Sequence, residues 1–181
     1  MFVKITILSI LFLLTNAGNA SAHTHIVSSS ANLKRVGVDD IYEFDIRILK
    51  LQMFLEKLES PMASHAEILI ANADKYDLDW RLVAAIAGVE STFGKYMPEN
   101  SFNAFGWANG LYKFASWEES IGIVSKTLRF NYVAKGATNI ESIAKIYAPP
   151  SKTWADKVKY FIYQIDSSPV EFYQLGCYNQ P

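Results

Sequence analysis

From Asp39 onwards, apolar residues recur every three or four positions, and this spacing constrains the fold more than any other feature of the sequence. The first stripe consists of Ile41, Phe44, Ile48, Leu51, Leu55 and Leu58. Residues at this spacing share one face of an α-helix. Ser60-Pro61 follows the stripe and is expected to end the helix. No stretch alternates apolar and polar residues convincingly, so the sequence predicts a mostly α fold.

Turn and capping signals delimit the later helices. A second helix is expected over about 64–76, with Ile68, Leu69, Ala73 and Tyr76 facing inward. A third, WRLVAAIAGVE, follows a cap at Asp77 or Asp79. The fourth begins at Ser116 with a capping box to Glu119 and ends at Gly136.

Two more helices complete the prediction. Asn139 caps a short helix that Pro149-Pro150 stops, and a last helix covers about 153–166, burying Trp154, Val158, Phe161 and Ile165. Between the third and fourth helices lies an aperiodic loop, KYMPENSFNAFGWANGLYKF, that could hold a small hairpin. We therefore expect a single domain of five to seven helices over residues 39–166, with one long cleft loop and a C-terminal tail at 167–181.

The first 22 residues have the composition of a secretory signal peptide. Lys4 precedes the apolar stretch ITILSILFLL, and the segment ends in Ala20-Ser21-Ala22. An uncleaved anchor is the alternative, although the apolar stretch is short for a bilayer span. We expect cleavage after Ala22, a flexible Ser-rich lead-in over 23–38, and a secreted or periplasmic protein without stable membrane association.

Charge and cysteine content narrow the possible partners. The net charge of −1 provides no basic field for nucleic acid or anionic lipid. The single cysteine, Cys177, allows no intrachain disulfide and no Cys-based metal site. No His/Cys/Asp cluster has metal-ligand spacing, so we expect no metal and no cofactor. We also expect the protein to be a monomer.

Glu90 is a single carboxylate in the segment GVESTFG, at the end of the third helix, which is otherwise apolar there. At about 100° per residue, Glu90 falls about 40° from Ile86 and between Ile86 and Val83, on the apolar stripe. Burial and the negative end of the helix would both disfavour the ionised carboxylate. A carboxylic acid that keeps its proton near neutral pH suits a glycosidase's general acid. The alternative is a Glu whose stem packs while its carboxylate reaches water.

The loop after this helix is rich in aromatic and Asn residues. Aromatic rings stack on sugars, and Asn amides hydrogen-bond hydroxyl and N-acetyl groups. Phe102, Phe105 and Phe114 are better explained as core anchors of the loop, whereas Trp107 and Tyr112 are candidates for a sugar-facing wall.

Four segments in register, GVESTFG, NAFGW, SWEES and IYAPPSKTWADKV, resemble the glucosaminidase branch of the lysozyme-like superfamily, which cuts peptidoglycan glycan strands. The resemblance covers roughly residues 76–165. It implies a lysozyme-like fold, Glu90 as catalytic acid and Tyr147 facing it across the groove. It also implies that Ser91 fixes the helix end and that Asn103, Phe105 and Gly106 floor the cleft.

The sequence departs from the family in one respect. Many members carry a lobe with a second carboxylate between the catalytic Glu and the Asn-x-Phe-Gly segment, and Glu99 is the sole acid there in this chain. The lytic transglycosylases work with one Glu, but the Gly-Leu-Met-Gln segment of many of those is missing. We expect an exported N-acetylglucosaminidase-type hydrolase of peptidoglycan. The alternatives are a single-Glu lytic transglycosylase, an inactive wall-binding module and a helical adaptor.

Overall fold

The computed structural model describes residues 45–170, and all of them belong to one compact unit. Several predictions concern residues outside this range: the signal peptide, the lead-in at 23–38, the first two positions of the first apolar stripe, Cys177 and most of the C-terminal tail. Six α-helices occur in the described part: α1 (Ile46–Lys57), α2 (Ala66–Lys75), α3 (Leu82–Ser91), α4 (Trp117–Thr127), α5 (Ile140–Tyr147) and α6 (Trp154–Ser167). The mostly α prediction is confirmed for this part of the chain.

The helix starts follow local capping chemistry. Asp45 caps α1, because its carboxylate accepts a hydrogen bond from the Arg47 N–H at 2.9 Å. Asn139 caps α5 with a reciprocal capping box to Ser142. Ser116 caps α4 as predicted. The second half of the predicted capping box is absent, because the Glu119 carboxylate accepts from the Ala115 N–H instead of the Ser116 N–H.

Two predicted helix boundaries need correction. Arg81, not Asp77 or Asp79, is the residue before α3, and the Asp79 carboxylate accepts from the Arg81 N–H one turn ahead of the helix. The chain after α4 does not continue as a regular α-helix. It passes through a π-turn (Leu128–Tyr132) and a 3₁₀ turn (Val133–Lys135) before Gly136 ends it with φ of 98°.

Helix α3 lies in the middle of the core. Every residue from Leu82 to Gly88 is buried, so the helix is enclosed on all sides instead of presenting a single apolar face. It packs against α6, whose Val158 and Ile165 are fully buried. Phe161 of the same helix is only partly buried, although the sequence predicts it to be buried.

The long loop between α3 and α4 contains turns and, within the described residues, no strand, so the proposed small hairpin is wrong. Its path needs several left-handed residues besides glycine, among them Thr92, Phe93, Phe102 and Asn109. Phe93, Phe105 and Phe114 are buried and anchor this loop to the core. The loop is therefore a packed part of the domain and can hold side chains in fixed positions. None of the helices between residues 45 and 170 is long and apolar enough to cross a bilayer.

Candidate active site

Glu90 is exposed at the end of α3, so the predicted burial of its carboxylate is wrong. The helical wheel assigns Glu90 to an apolar stripe, but α3 is surrounded only as far as Gly88. One half-turn later the helix emerges from the core, and residues on any side of it then reach solvent. Glu90 instead lines an open cleft of about 550 Å³. The side chain is accessible to a substrate, which an enclosed carboxylate would not be.

The carboxylate of Glu90 is held by Trp154, the first residue of α6. The Trp154 Nε1–H donates to Glu90 Oε1 at 2.7 Å, and the indole itself is buried, with only 3% of its surface exposed. A hydrogen bond to an ionisable acceptor at this distance is strong. The exposed carboxylate is thus fixed by a buried donor.

Tyr147 lies beside Trp154 and lines the same cleft as Glu90. Its ring stacks on the indole, with centroids 5.1 Å apart and 26° between the planes. Its hydroxyl donates to the Phe105 carbonyl oxygen at 2.6 Å. Burial raises the pKa of the Tyr147 hydroxyl, and the Glu90 carboxylate and Tyr132 raise it further. Tyr147 therefore remains a protonated donor that ties α5 to the cleft loop.

Gly106 approaches the other oxygen of the carboxylate. Its φ is 65°, a conformation that favours glycine, and a Cβ built on it would lie 2.7 Å from Glu90 Oε2. Any side chain at this position would displace the carboxylate. Gly106 therefore matters to the site because it leaves room for Glu90.

Ser91 and Asn103 are buried and use their polar atoms within the protein. The Ser91 hydroxyl donates to the Ala104 carbonyl oxygen at 2.7 Å and accepts from the Gly94 N–H at 2.9 Å, joining the end of α3 to the loop. The Asn103 amide donates to the carbonyls of Trp107 and Tyr112, and its Oδ1 accepts from the Trp107 N–H, all at 2.9 Å. Although Asn103 borders the cleft, its amide already has these backbone partners, so its first role is to hold the loop.

The aromatic residues predicted for the site are placed differently from one another. Phe105 is fully buried and reaches the site only through its carbonyl oxygen. Trp107 and Tyr112 both pack edge-on against Phe114, and neither lines the cleft that contains Glu90. The structure brings Glu90, Ser91, Asn103, Gly106 and Tyr147 together at the cleft and leaves Trp107 and Tyr112 beside it.

The cleft has walls that the sequence interpretation missed. One segment that lines it is Tyr96-Met97-Pro98, in which 78% of Tyr96 is exposed, and another is Ala148-Pro149-Pro150. The Pro149-Pro150 pair reads in the sequence only as a helix stop. Tyr96, an aromatic residue in the loop five positions after α3 ends, was the available signal for this part of the cleft.

Glu90 is the only acidic side chain that lines this cleft among the described residues, and the exposed Glu99 lies outside its lining. Between residues 45 and 170 there is also no group of three or more His, Cys, Asp and Glu side chains placed to hold a metal ion. The chemistry available from the cleft's side chains is proton transfer by one carboxylate, with phenols and backbone groups as hydrogen-bonding partners.

Comparison with protein-family models, with curated proteins and with solved structures finds no match to this chain.

Proposed function

We propose that this chain is an exported glycosidase that cleaves β-1,4 bonds of the peptidoglycan glycan strand, with Glu90 as general acid. The supporting observation is the arrangement around its carboxylate, in which Trp154 fixes one oxygen and Gly106 leaves space at the other. A general acid must lie within hydrogen-bond reach of the atom that it protonates. An exposed carboxylate that a hydrogen bond holds in an open cleft is accessible to such an atom, which supports the proposal.

In the proposed reaction the Glu90 carboxyl group gives its proton to the glycosidic oxygen as the bond from that oxygen to the anomeric carbon breaks. The sugar passes through an oxocarbenium-like transition state. Water then adds to the anomeric carbon, and its proton returns to the Glu90 carboxylate. The choice of the N-acetylglucosaminidase-type bond rests on the sequence resemblance.

A single-Glu lytic transglycosylase is the second candidate, and one observation favours it. No acid besides Glu90 lines the cleft within the described residues, so the usual pairing of two carboxylates has no evident second member. In this reaction the 6-hydroxyl of the muramic residue replaces water as the group that adds to the anomeric carbon. Proton transfer by Glu90 is the same in both schemes.

A wall-binding module without turnover would use the same cleft but would not need a fixed carboxylate. The buried indole that orients Glu90 therefore supports the enzyme over the module. The rate at which a peptidoglycan suspension clears, measured for the wild type, Glu90→Gln and Glu99→Gln, separates the enzyme from the module.

Glu90→Gln removes the proton donor but keeps an oxygen that can accept from Trp154. We expect its clearing rate to fall by about 10²–10⁴-fold, the usual contribution of a general acid, with little change in Tm because Glu90 is exposed. The matched control is Glu99→Gln, which should clear at the wild-type rate.

If Glu90→Gln cleared the suspension at the wild-type rate, the catalytic role of Glu90 would be refuted. A collapse in Glu99→Gln would instead identify Glu99 as a second acid and favour the two-carboxylate scheme. Binding of sacculi without clearing by any form of the protein would favour the module.

A further inference from the structure

We infer that Trp154 is a positioning residue that determines which oxygen of Glu90 carries the transferable proton, an inference that rests on the proposed function. Trp154 does not line the cleft, so it acts through Glu90 and not on a substrate. Neither the helical periodicity nor the resemblance to glucosaminidases assigns it this role.

The assignment of the proton follows from the chemistry of indole. The Trp154 Nε1–H can only donate, and its acceptor is Glu90 Oε1 at 2.7 Å. Oε1 therefore accepts a hydrogen bond whether the carboxyl group is ionised or protonated. When Glu90 is protonated, the proton is favoured on Oε2, because a proton on Oε1 would compete with the indole donor.

The position of Oε2 makes this proton useful. Oε2 lies on the Gly106 side, where an added Cβ would come within 2.7 Å of it, and Gly106 lines the cleft together with Glu90. The missing side chain leaves room for Oε2 at a residue that lines the cleft, and we take this oxygen as the one that meets the substrate. The two oxygens thus have separate tasks, since Oε1 anchors the group and Oε2 transfers the proton.

Trp154 is itself held rigidly. Its backbone N–H donates to the Ser151 hydroxyl at 3.1 Å, and its ring stacks on Tyr147. Tyr147 is fixed in turn by its hydrogen bond to the Phe105 carbonyl oxygen. The orientation of the indole is therefore set from α5, α6 and the cleft loop together.

Few other ionisable groups face Glu90, so its titration can be recognised. Tyr147 from α5 and Tyr96 from the loop line the cleft with it, and burial raises the pKa of the Tyr147 hydroxyl above the ordinary phenol range. On α6, the charged side chains of Asp156 and Lys157 line a separate groove with Val89. On α5, Glu141 pairs with Lys159 at 2.9 Å. A pH-dependent change at the Trp154 indole that disappears in Glu90→Gln therefore reports Glu90.

The direct test is the ¹H–¹⁵N resonance of the Trp154 indole, followed by NMR as a function of pH in the full-length protein. The chain has four Trp residues, and single Trp→Phe variants assign their indole signals. In the wild type we expect the Trp154 signal to move downfield as Glu90 ionises, because a charged acceptor strengthens the hydrogen bond. In Glu90→Gln the same signal should stay constant over the pH values at which it moves in the wild type.

The kinetic test uses Trp154→Phe, with Trp117→Phe as the matched control. Trp117 is also buried, at 7% exposure, but it packs against Phe102 and His65 and not against Glu90. Trp154→Phe should lower kcat by roughly tenfold to a hundredfold, the range for one hydrogen bond to a charged group, with little change in KM. The alkaline limb of its pH–rate profile should move to higher pH, because loss of the donor disfavours the ionised form. Trp117→Phe should leave that limb in place.

The outcomes distinguish this inference from the proposed function. A Trp154 resonance that does not follow Glu90 in an active wild-type enzyme would overturn the positioning role alone, even if Trp154→Phe fails to fold. An unchanged alkaline limb in an active, folded Trp154→Phe protein would do the same. A coupled indole titration in a wild-type protein with no glycosidase activity would refute the proposed function, and with it the use of the oriented proton.

Discussion

Gly106 and Glu90 depend on each other at the scale of single residues. Glycine at position 106 combines a left-handed φ of 65° with the absence of a Cβ that would lie 2.7 Å from Glu90 Oε2. The obstructed atom is the end of a side chain, so the Glu90 carboxylate can be pushed aside without disturbing the backbone, at the cost of its hydrogen bond to Trp154. A substitution here should therefore affect the chemistry more than the fold.

Gly106→Ala should lower the free energy of unfolding by about 1–2 kcal/mol, because an L residue is strained at positive φ. It should also abolish most of the proposed muralytic activity by displacing Glu90. The matched control is Gly136→Ala, which has φ of 98° and nothing within 4 Å of an added Cβ. Urea denaturation and clearing assays on both variants should show similar destabilisation but loss of activity only in Gly106→Ala. Equal activities in the two variants would contradict the role of Gly106.

Residue-level prediction from the sequence succeeded where a residue's chemistry is local and failed where it depends on a distant partner. Asn139 caps a helix within three residues of itself, and the sequence predicts that cap correctly. Trp154 is separated from Glu90 by 64 positions in the chain. Its periodicity identifies a buried residue, but no pattern in the sequence shows that its indole N–H points at a carboxylate.

At the scale of the elements, the packing of α3 against α6 sets the position of Glu90. Gly88 allows the close approach, because a Cβ on it would lie 2.6 Å from Phe93 Cζ and 3.0 Å from Phe161 Cδ2. Phe93 and Phe161 also contact each other edge-on with centroids 4.9 Å apart. Unlike the exposed Glu90 carboxylate, the Phe93 ring is fully buried and has little room to move.

Gly88→Ala should therefore destabilise the protein by about 1–3 kcal/mol, the usual effect of overpacking a core. The control is Gly122→Ala in α4, whose added Cβ would make an ordinary contact of 3.7 Å with Asn72 Oδ1. That change should stabilise the protein by up to about 1 kcal/mol, because Ala is the better helix former. Urea denaturation measures both. Stabilisation by Gly88→Ala would show that α3 and α6 are not packed tightly at this point.

Helical periodicity predicts the elements well but not how deeply each is buried. It locates six helices because their apolar residues recur every three or four positions. It assigns Glu90 to a buried face because a helical wheel assumes one buried and one exposed side. Helix α3 is enclosed all round as far as Gly88, so exposure there depends on the position along the helix axis instead of the angle around it.

At the scale of the whole described domain, the cleft is assembled from the end of α3, the loop that follows it, and the more distant end of α5. The end of α3 supplies Glu90, the following loop supplies Tyr96 and Gly106, and the end of α5 supplies Tyr147 and the two prolines. The sequence predicts that a long loop follows Glu90, but its path depends on left-handed turns at residues other than glycine. Composition gives no sign of such turns, which is why the walls of the cleft were not predicted.

The central claim is that Glu90 of this cleft breaks glycosidic bonds in peptidoglycan, and mass spectrometry of digested sacculi tests it most directly. We predict fragments with new reducing N-acetylglucosamine ends from the wild type and none from Glu90→Gln. Anhydro-muramic ends in place of reducing ends would keep the role of Glu90 and select the transglycosylase. Intact glycan strands after wild-type treatment, or the same fragments from Glu90→Gln, would contradict the claim.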